Sequence, residues 1–175
     1  MTEPIHTERL LLRTYEPADA ERMLTYYADP DVCRYLLYEA WTFDDAVAAV
    51  EKRMKRTHLA SGAIACVVEL DGRVIGNVGA WLIDDSPSLV ELGWTFSPAE
   101  SGRGYASEAV TALIDHVFSE PQIHRVSAQM DARNDASARL ARRVGMQQEA
   151  HFRRNWWCKG EWTDTFVFAL LREDF

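Results

Sequence analysis

The sequence predicts a mixed α/β fold, a mostly antiparallel sheet of about six to seven strands with helices flanking it. Three observations carry this. Apolar residues recur at helical spacing in several separate stretches. The period shortens to two over residues 63–82, where Asp71-Gly72 divides two apolar runs as a hairpin turn does. No parallel strand–helix–strand unit opens the chain.

Taken in order, RLLLRT at residues 9–14 is the first strand. Residues 17–27 form a helix with Pro17 in its first turn and Met23, Leu24 and Tyr27 on one face. A short helical piece covers residues 31–37, and Thr42 caps a longer helix bearing Phe43, Ala46, Val47, Val50 and Met54. Strands follow at 63–70 and 74–82. Pro87 breaks the chain before LVELGWTF at 89–96, the next strand. Ala106, Ala109, Val110, Leu113, Ile114, Val117 and Phe118 then mark a helix that Pro121 ends. A strand at 125–130 leads to a helix at 134–144, closed by Gly145 as its C-cap. Strands at 146–152 and 163–171 finish the fold, with NWWCKGEW between them as a loop or hairpin.

At 175 residues the chain suits one domain, 1–175, with a real core. It has no repeat, linker or low-complexity tract, and no run near the ~20 apolar residues of a membrane span. MTEPIHTERLLLRTYE lacks a secretory h-region, which points to the cytoplasm. Cys33, Cys66 and Cys158 are odd in number and far apart, so neither a disulfide framework nor a zinc site is indicated. The five histidines lack metal-ligand spacing, and no metal is expected. A formal net charge of −8 disfavours nucleic acid and mildly favours a cationic ligand, for which Asp29, Asp31 and Glu39 are candidate attractors.

PAESGRGYASEAV at 98–110 places Gly102 and Gly104 where a helix begins. Free N–H groups and the helix dipole make such a start a site for a phosphate-like anion, and glycines let backbone come close to it. A Walker loop needs Lys-Ser/Thr after its second glycine, and Tyr105-Ala106 stands there. A dinucleotide fingerprint needs Gly or Ala where Ser107 stands. A pyrophosphate cradle for coenzyme A and a ligand-free tight turn remain.

The segment resembles the acyl-CoA motif of the GNAT superfamily of N-acetyltransferases: Gln or Arg, two residues, Gly, one residue, Gly or Ala. Gly104 and Ala106 fill the last two slots, while Ser101 departs from the first. TERLLLR, GRVIGNVG, ELGW, RNDAS, RVGM and GEWTDTFVFALLRED resemble, in order and spacing, the branch of ribosomal-protein N-terminal acetyltransferases and some antibiotic acetyltransferases. The resemblance implies acetyl-CoA as co-substrate, cradled by Ser101, Gly102, Arg103, Gly104, Tyr105, Ala106 and Ser107. It implies that the strand at 91–96 parts from its neighbour and pairs with pantetheine at Thr95 and Phe96, with Asn134 as a further contact.

Acetyl transfer to an amine needs a base for the ammonium proton, a donor for the oxyanion and an acid for the thiolate. Glu91 interrupts an apolar run, so on a strand it points opposite to Val90 and Leu92 and is the best base; Asp164 and Glu161 are rivals. A solvent-facing role for Glu91 weighs equally on sequence alone. The superfamily's acidic tyrosine falls at Ala141, so the resemblance passes the acid to Ser137, which helix capping would otherwise explain. Trp156 and Trp157 are candidate walls of an acceptor cleft. The expected acceptor is a protein N-terminal α-amine or a small cationic amine such as an aminoglycoside, with no nucleic acid or membrane partner and a homodimer as the assembly to test. The alternative is a non-catalytic acyl-CoA-binding module.

Overall fold

The computed structural model describes residues 3–83 and 86–175. Among these, the strands are β1 (Ile5–His6), β2 (Leu11–Arg13), β3 (Thr57–His58), β4 (Ala63–Leu70), β5 (Arg73–Leu82), β6 (Leu89–Phe96), β7 (Arg125–Asp131), β8 (Gln147–Cys158) and β9 (Glu161–Leu171). The helices are α1 (Asp19–Tyr27), α2 (Pro30–Cys33), α3 (Phe43–Met54), α4 (Tyr105–Phe118) and α5 (Asp135–Arg143). One nine-stranded sheet runs β1-β2-β4-β5-β6-β7-β9-β8, with β3 also paired to β4. Every pairing is antiparallel except β6 with β7.

The strand count exceeds the sequence expectation because β1 and β3 have two residues each, too few to show a period. The NWWCKGEW segment is a hairpin, not a loop: β8 continues to Cys158 and turns at Lys159 (φ 51°) and Gly160 (φ 80°). The Asp71-Gly72 turn has the same two positive φ angles, 49° and 76°. Thr42 caps α3 in a capping box with Asp45. Gly145 (φ 90°) ends α5, and the Met146 amide donates back to the Ala141 carbonyl.

The two sheet faces hold separate cores. Val90, Leu92, Val126 and Phe168 pack with α4 residues Ala109, Val110, Leu113 and Ile114. Across the sheet, Val67 and Ala65 pack with Met23, Tyr26 and Tyr27 of α1 and Ala46 and Val50 of α3. Among the described residues no helix is long and apolar enough to cross a membrane.

Arg13 ties β2 to α1. Its guanidinium donates to both oxygens of the fully buried Asp19 (2.8 and 2.9 Å) and to Glu69 (2.6 Å), while the Glu16 amide donates to Asp19 (2.8 Å). Burial works to raise the Asp19 pKa, but Arg13 and the Glu16 amide outweigh it and hold the carboxyl below its ordinary range. A depressed carboxylate pKa contributes stability at neutral pH that is lost as pH falls through the folded value. Asp19→Asn should therefore cost about 3 kcal/mol at pH 7, by stranding a paired charge. Urea denaturation from neutral to acid pH should show that difference shrinking toward low pH.

Candidate active site

The parallel pairing of β6 with β7 lasts for only three residues, Leu89 with Arg125, Val90 with Val126 and Glu91 with Ser127. Beyond Glu91, β6 stays with β5 through Phe96, while residues 128–131 of β7 stay with β9. The sheet is thus open at its centre, and the β7-facing edge of Leu92 to Phe96 offers free main-chain groups. A cavity of about 740 Å³ occupies this opening. It is lined from β6 by Glu91 and Thr95, from β7 by Met130, and from the start of α5 by Asn134 and Ser137.

Strand alternation explains Glu91. Val90 and Leu92 are buried against α4, so Glu91 projects to the other face and into the cavity. Burial pushes its carboxyl pKa up, and a 3.2 Å hydrogen bond from Gln129 Nε2 offsets part of that. Beside it, Trp81 lies across Gly93, where a Cβ would come within 2.9 Å of the indole, so only glycine leaves room. The rivals stand differently. Glu161 lines the cavity but accepts from Arg133 at 2.8 Å. Asp164 does not line it. The Arg154 amide (2.8 Å) and His151 hold its pKa low.

At the N-terminus of α5, Asn134 is the cap: its Oδ1 accepts from the Ser137 amide at 3.1 Å. The Ser137 hydroxyl is therefore not spent on capping. Its oxygen accepts from Trp94 Nε1 at 3.2 Å, which leaves its own proton free to donate. Sequence reasoning missed Trp94 as this partner, because the two residues are 43 positions apart. Ala141 is fully buried, so that position offers the cavity nothing. Trp156 lines the cavity, but Trp157 packs edge-on against Trp162 outside it. Asp29, Asp31 and Glu39 are not among the lining residues either, and the Asp29 side chain instead caps α2.

The turn before α4 forms a second feature. Gly102 and Gly104 both have positive φ, 77° and 82°. No side chain caps this helix, and its first internal hydrogen bond runs from the Glu108 amide to the Gly104 carbonyl. Among the described residues, the amides of Gly102, Arg103, Gly104, Tyr105, Ala106 and Ser107 have no backbone or side-chain acceptor, which is what a cradle for an anion requires. Arg9 braces the turn: it donates to the Arg103 carbonyl (3.1 Å), pairs with Glu108 (2.6 Å) and lies over the Tyr105 ring (4.6 Å). Phe96 packs in the strand instead of lining the cavity, its ring filling the space a Cβ on Gly76 would need.

A mostly antiparallel sheet thus parts at its centre, and the helix that follows β6 starts with open amides. Residues 9–147 match the acetyltransferase (GNAT) domain family, and the chain belongs to that family of N-acetyltransferases. It is 30% identical to the uncharacterized N-acetyltransferase p20 of Bacillus licheniformis, over 99% of this chain and 98% of the relative. The ribosomal protein uS5-alanine N-acetyltransferase of Escherichia coli is 25% identical over 97% of this chain and 91% of its own length. The crystal structure of a GNAT-family acetyltransferase from Bacillus anthracis superposes with a TM-score of 0.88 at 31% identity, covering 98% of this chain and 99% of that one.

Proposed function

We propose that this protein, as one domain, transfers the acetyl group of acetyl-CoA to a primary amine by direct attack. The observation that carries the reading is the parting of β6 and β7 at Glu91, which puts a carboxylate and a free hydroxyl on one cavity, with the open-amide turn following β6 in the chain. Acetyl-CoA supplies the acetyl group activated as a thioester. The amides from Gly102 to Ser107 suit its pyrophosphate, and the free edge at Thr95 suits the amide groups of its pantetheine arm. The Asn134 amide nitrogen, left over once its oxygen caps α5, is a further donor there.

Glu91 takes the proton that an ammonium acceptor must lose before its nitrogen can attack. A free N–H of the β6 edge donates to the carbonyl oxygen as negative charge develops on it. Ser137, oriented by Trp94, donates toward the departing sulfur. Likeness to the uS5-alanine acetyltransferase supports an α-amine as acceptor. The test is release of free CoA thiol that depends on added amine, with mass spectrometry showing one acetyl group on the amine. Acetyl-CoA binding without turnover of any amine would favour a non-catalytic acyl-CoA-binding module.

Ser137→Ala should lower kcat by at least tenfold, about 1.4 kcal/mol of barrier, with acetyl-CoA affinity retained. It also strips the Trp94 indole of its acceptor, so about 1 kcal/mol of stability should go with it. Stopped-flow and melting measurements on the same variant separate the two effects. An unchanged kcat with only a lowered Tm removes Ser137 from the chemistry.

A further inference from the structure

The cavity is basic although the chain is acidic. Six basic and three acidic side chains line it, an excess of three positive charges in a protein of net charge −8. Two of the acids, Asp131 and Glu161, are bound by Arg133, which leaves Glu91 as the lining acid without an ion pair among the described residues. By contrast, Arg34, Lys52, Arg53 and Arg56 have no carboxylate partner among the described residues.

Arg53 is the most deeply set of these. Its guanidinium is walled by aromatic rings, 5.7 Å from the centroids of Tyr15 and Tyr27 and 5.1 Å from Trp41. Ring faces attract a cation but accept none of its N–H hydrogen bonds, and among the described residues its polar neighbours are neutral: the Met23 sulfur at 3.9 Å and the Tyr38 hydroxyl. Next to it, Tyr15 belongs to the cavity wall, and its buried hydroxyl has no hydrogen-bond partner among the described residues. Burial holds this phenol neutral, so it is a donor in want of an acceptor. Tyr26 and Tyr27, on the same face, both donate to Asn77 Oδ1 (3.2 and 2.8 Å), so an unsatisfied tyrosine is not the habit of this core. Unpaired donors gathered on one cavity wall call for an anion. The phosphates of acetyl-CoA do not answer the call, since no residue of the turn at 101–107 lines this cavity.

We propose that the amine acceptor carries an anionic group, a carboxylate or a phosphate, held by Arg53 with the Tyr15 hydroxyl at the α1–α3 end of the cavity while its amine faces Glu91. The proposal rests on the acetyl-transfer reading above. It makes the acceptor a small zwitterion of the amino-acid or amino-phosphate kind, not a polyamine or an aminoglycoside. The aromatic lining suits an apolar body between the two ends.

The experiment measures kcat/KM at saturating acetyl-CoA for pairs of primary amines that differ only in the anion. Amino acids are set against their amides, and aminoalkyl phosphates against the matching amino alcohols. One anionic series should be preferred at least about tenfold, chiefly through KM, and which series wins tells carboxylate from phosphate. Arg53→Met should erase that preference. Tyr15→Phe, which removes an unsatisfied hydroxyl and keeps the ring, should weaken it about threefold without lowering Tm. If Arg53→Met does not fold, Tyr15→Phe carries the test. Equal or better use of amides, amino alcohols, polyamines or N-terminal peptides overturns the proposal. So does a preference that both variants leave intact, or rejection of both anionic series by a protein that binds acetyl-CoA. Failure to bind acetyl-CoA at all, measured by calorimetry beside the assay, overturns the acetyl-transfer reading itself.

Discussion

Gly104→Glu is expected to abolish measurable acetyl-CoA binding and leave the protein folded. Gly104 sits at φ 82° immediately before α4, in the middle of six amides that have no acceptor among the described residues. A side chain there stands at the mouth of the cradle, and a carboxylate on it repels the pyrophosphate. Like-charge placement of this kind costs several kcal/mol, so affinity should fall by about a hundredfold or more. The fold should tolerate the change. A Cβ at Gly104 meets only the end of the Arg9 side chain, at 3.4 Å, and the left-handed backbone adds about 1–2 kcal/mol of strain. Calorimetry with acetyl-CoA and circular dichroism of the same sample check both halves. Parental affinity in the variant would place the cradle elsewhere.

Glu91→Gln should lower kcat by about a hundredfold or more at neutral pH, about 2.7 kcal/mol of barrier, and leave acetyl-CoA affinity nearly unchanged. The amide keeps the shape and the hydrogen bond to Gln129 but takes no proton. The sign of the pH effect follows from burial. Because the Glu91 pKa is raised, the parent should lose activity as pH falls, beginning at a pH above the ordinary carboxylate range. That acid limb should vanish in the variant. The deficit should also narrow at high pH, where more of the amine is already neutral. Near-parental rates across the pH range would transfer the proton to water, since Asp164 is tied to Arg154 and His151 away from the cavity.

What the chain discloses unfolded follows from how local each signal is. The Asp71-Gly72 hairpin, the Thr42 cap and the Gly145 stop rest on bonds between residues a few positions apart, and each stands where the sequence puts it. The turn before α4 is equally local: two glycines with positive φ before an apolar helix. Glu91 could be aimed by strand alternation alone, but its burial could not, because that depends on Trp81 and Gln129 from neighbouring strands. Ser137 shows the limit. Its position in α5 is legible and Asn134 takes the cap three residues away, yet the partner of its hydroxyl, Trp94, lies far off in the chain. Net charge says least about the cavity. The value of −8 averages over the surface, while the cavity gathers Arg34 and Arg53 from separate elements and leaves Asp29 and Asp31 outside. Strand ends in β8 were also hidden, since the ladder breaks between Phe152 and Trp156 and Arg154 adopts φ 48° there.

Amide hydrogen exchange with and without acetyl-CoA tests most directly whether this opening and this turn hold the donor. Exchange should slow at Gly102 to Ser107 and along the free edge from Leu92 to Phe96, and Gly104→Glu should remove both effects together. Acetyl-CoA that binds while those amides exchange at their unliganded rates, or that protects some other face of the sheet, would contradict the assignment.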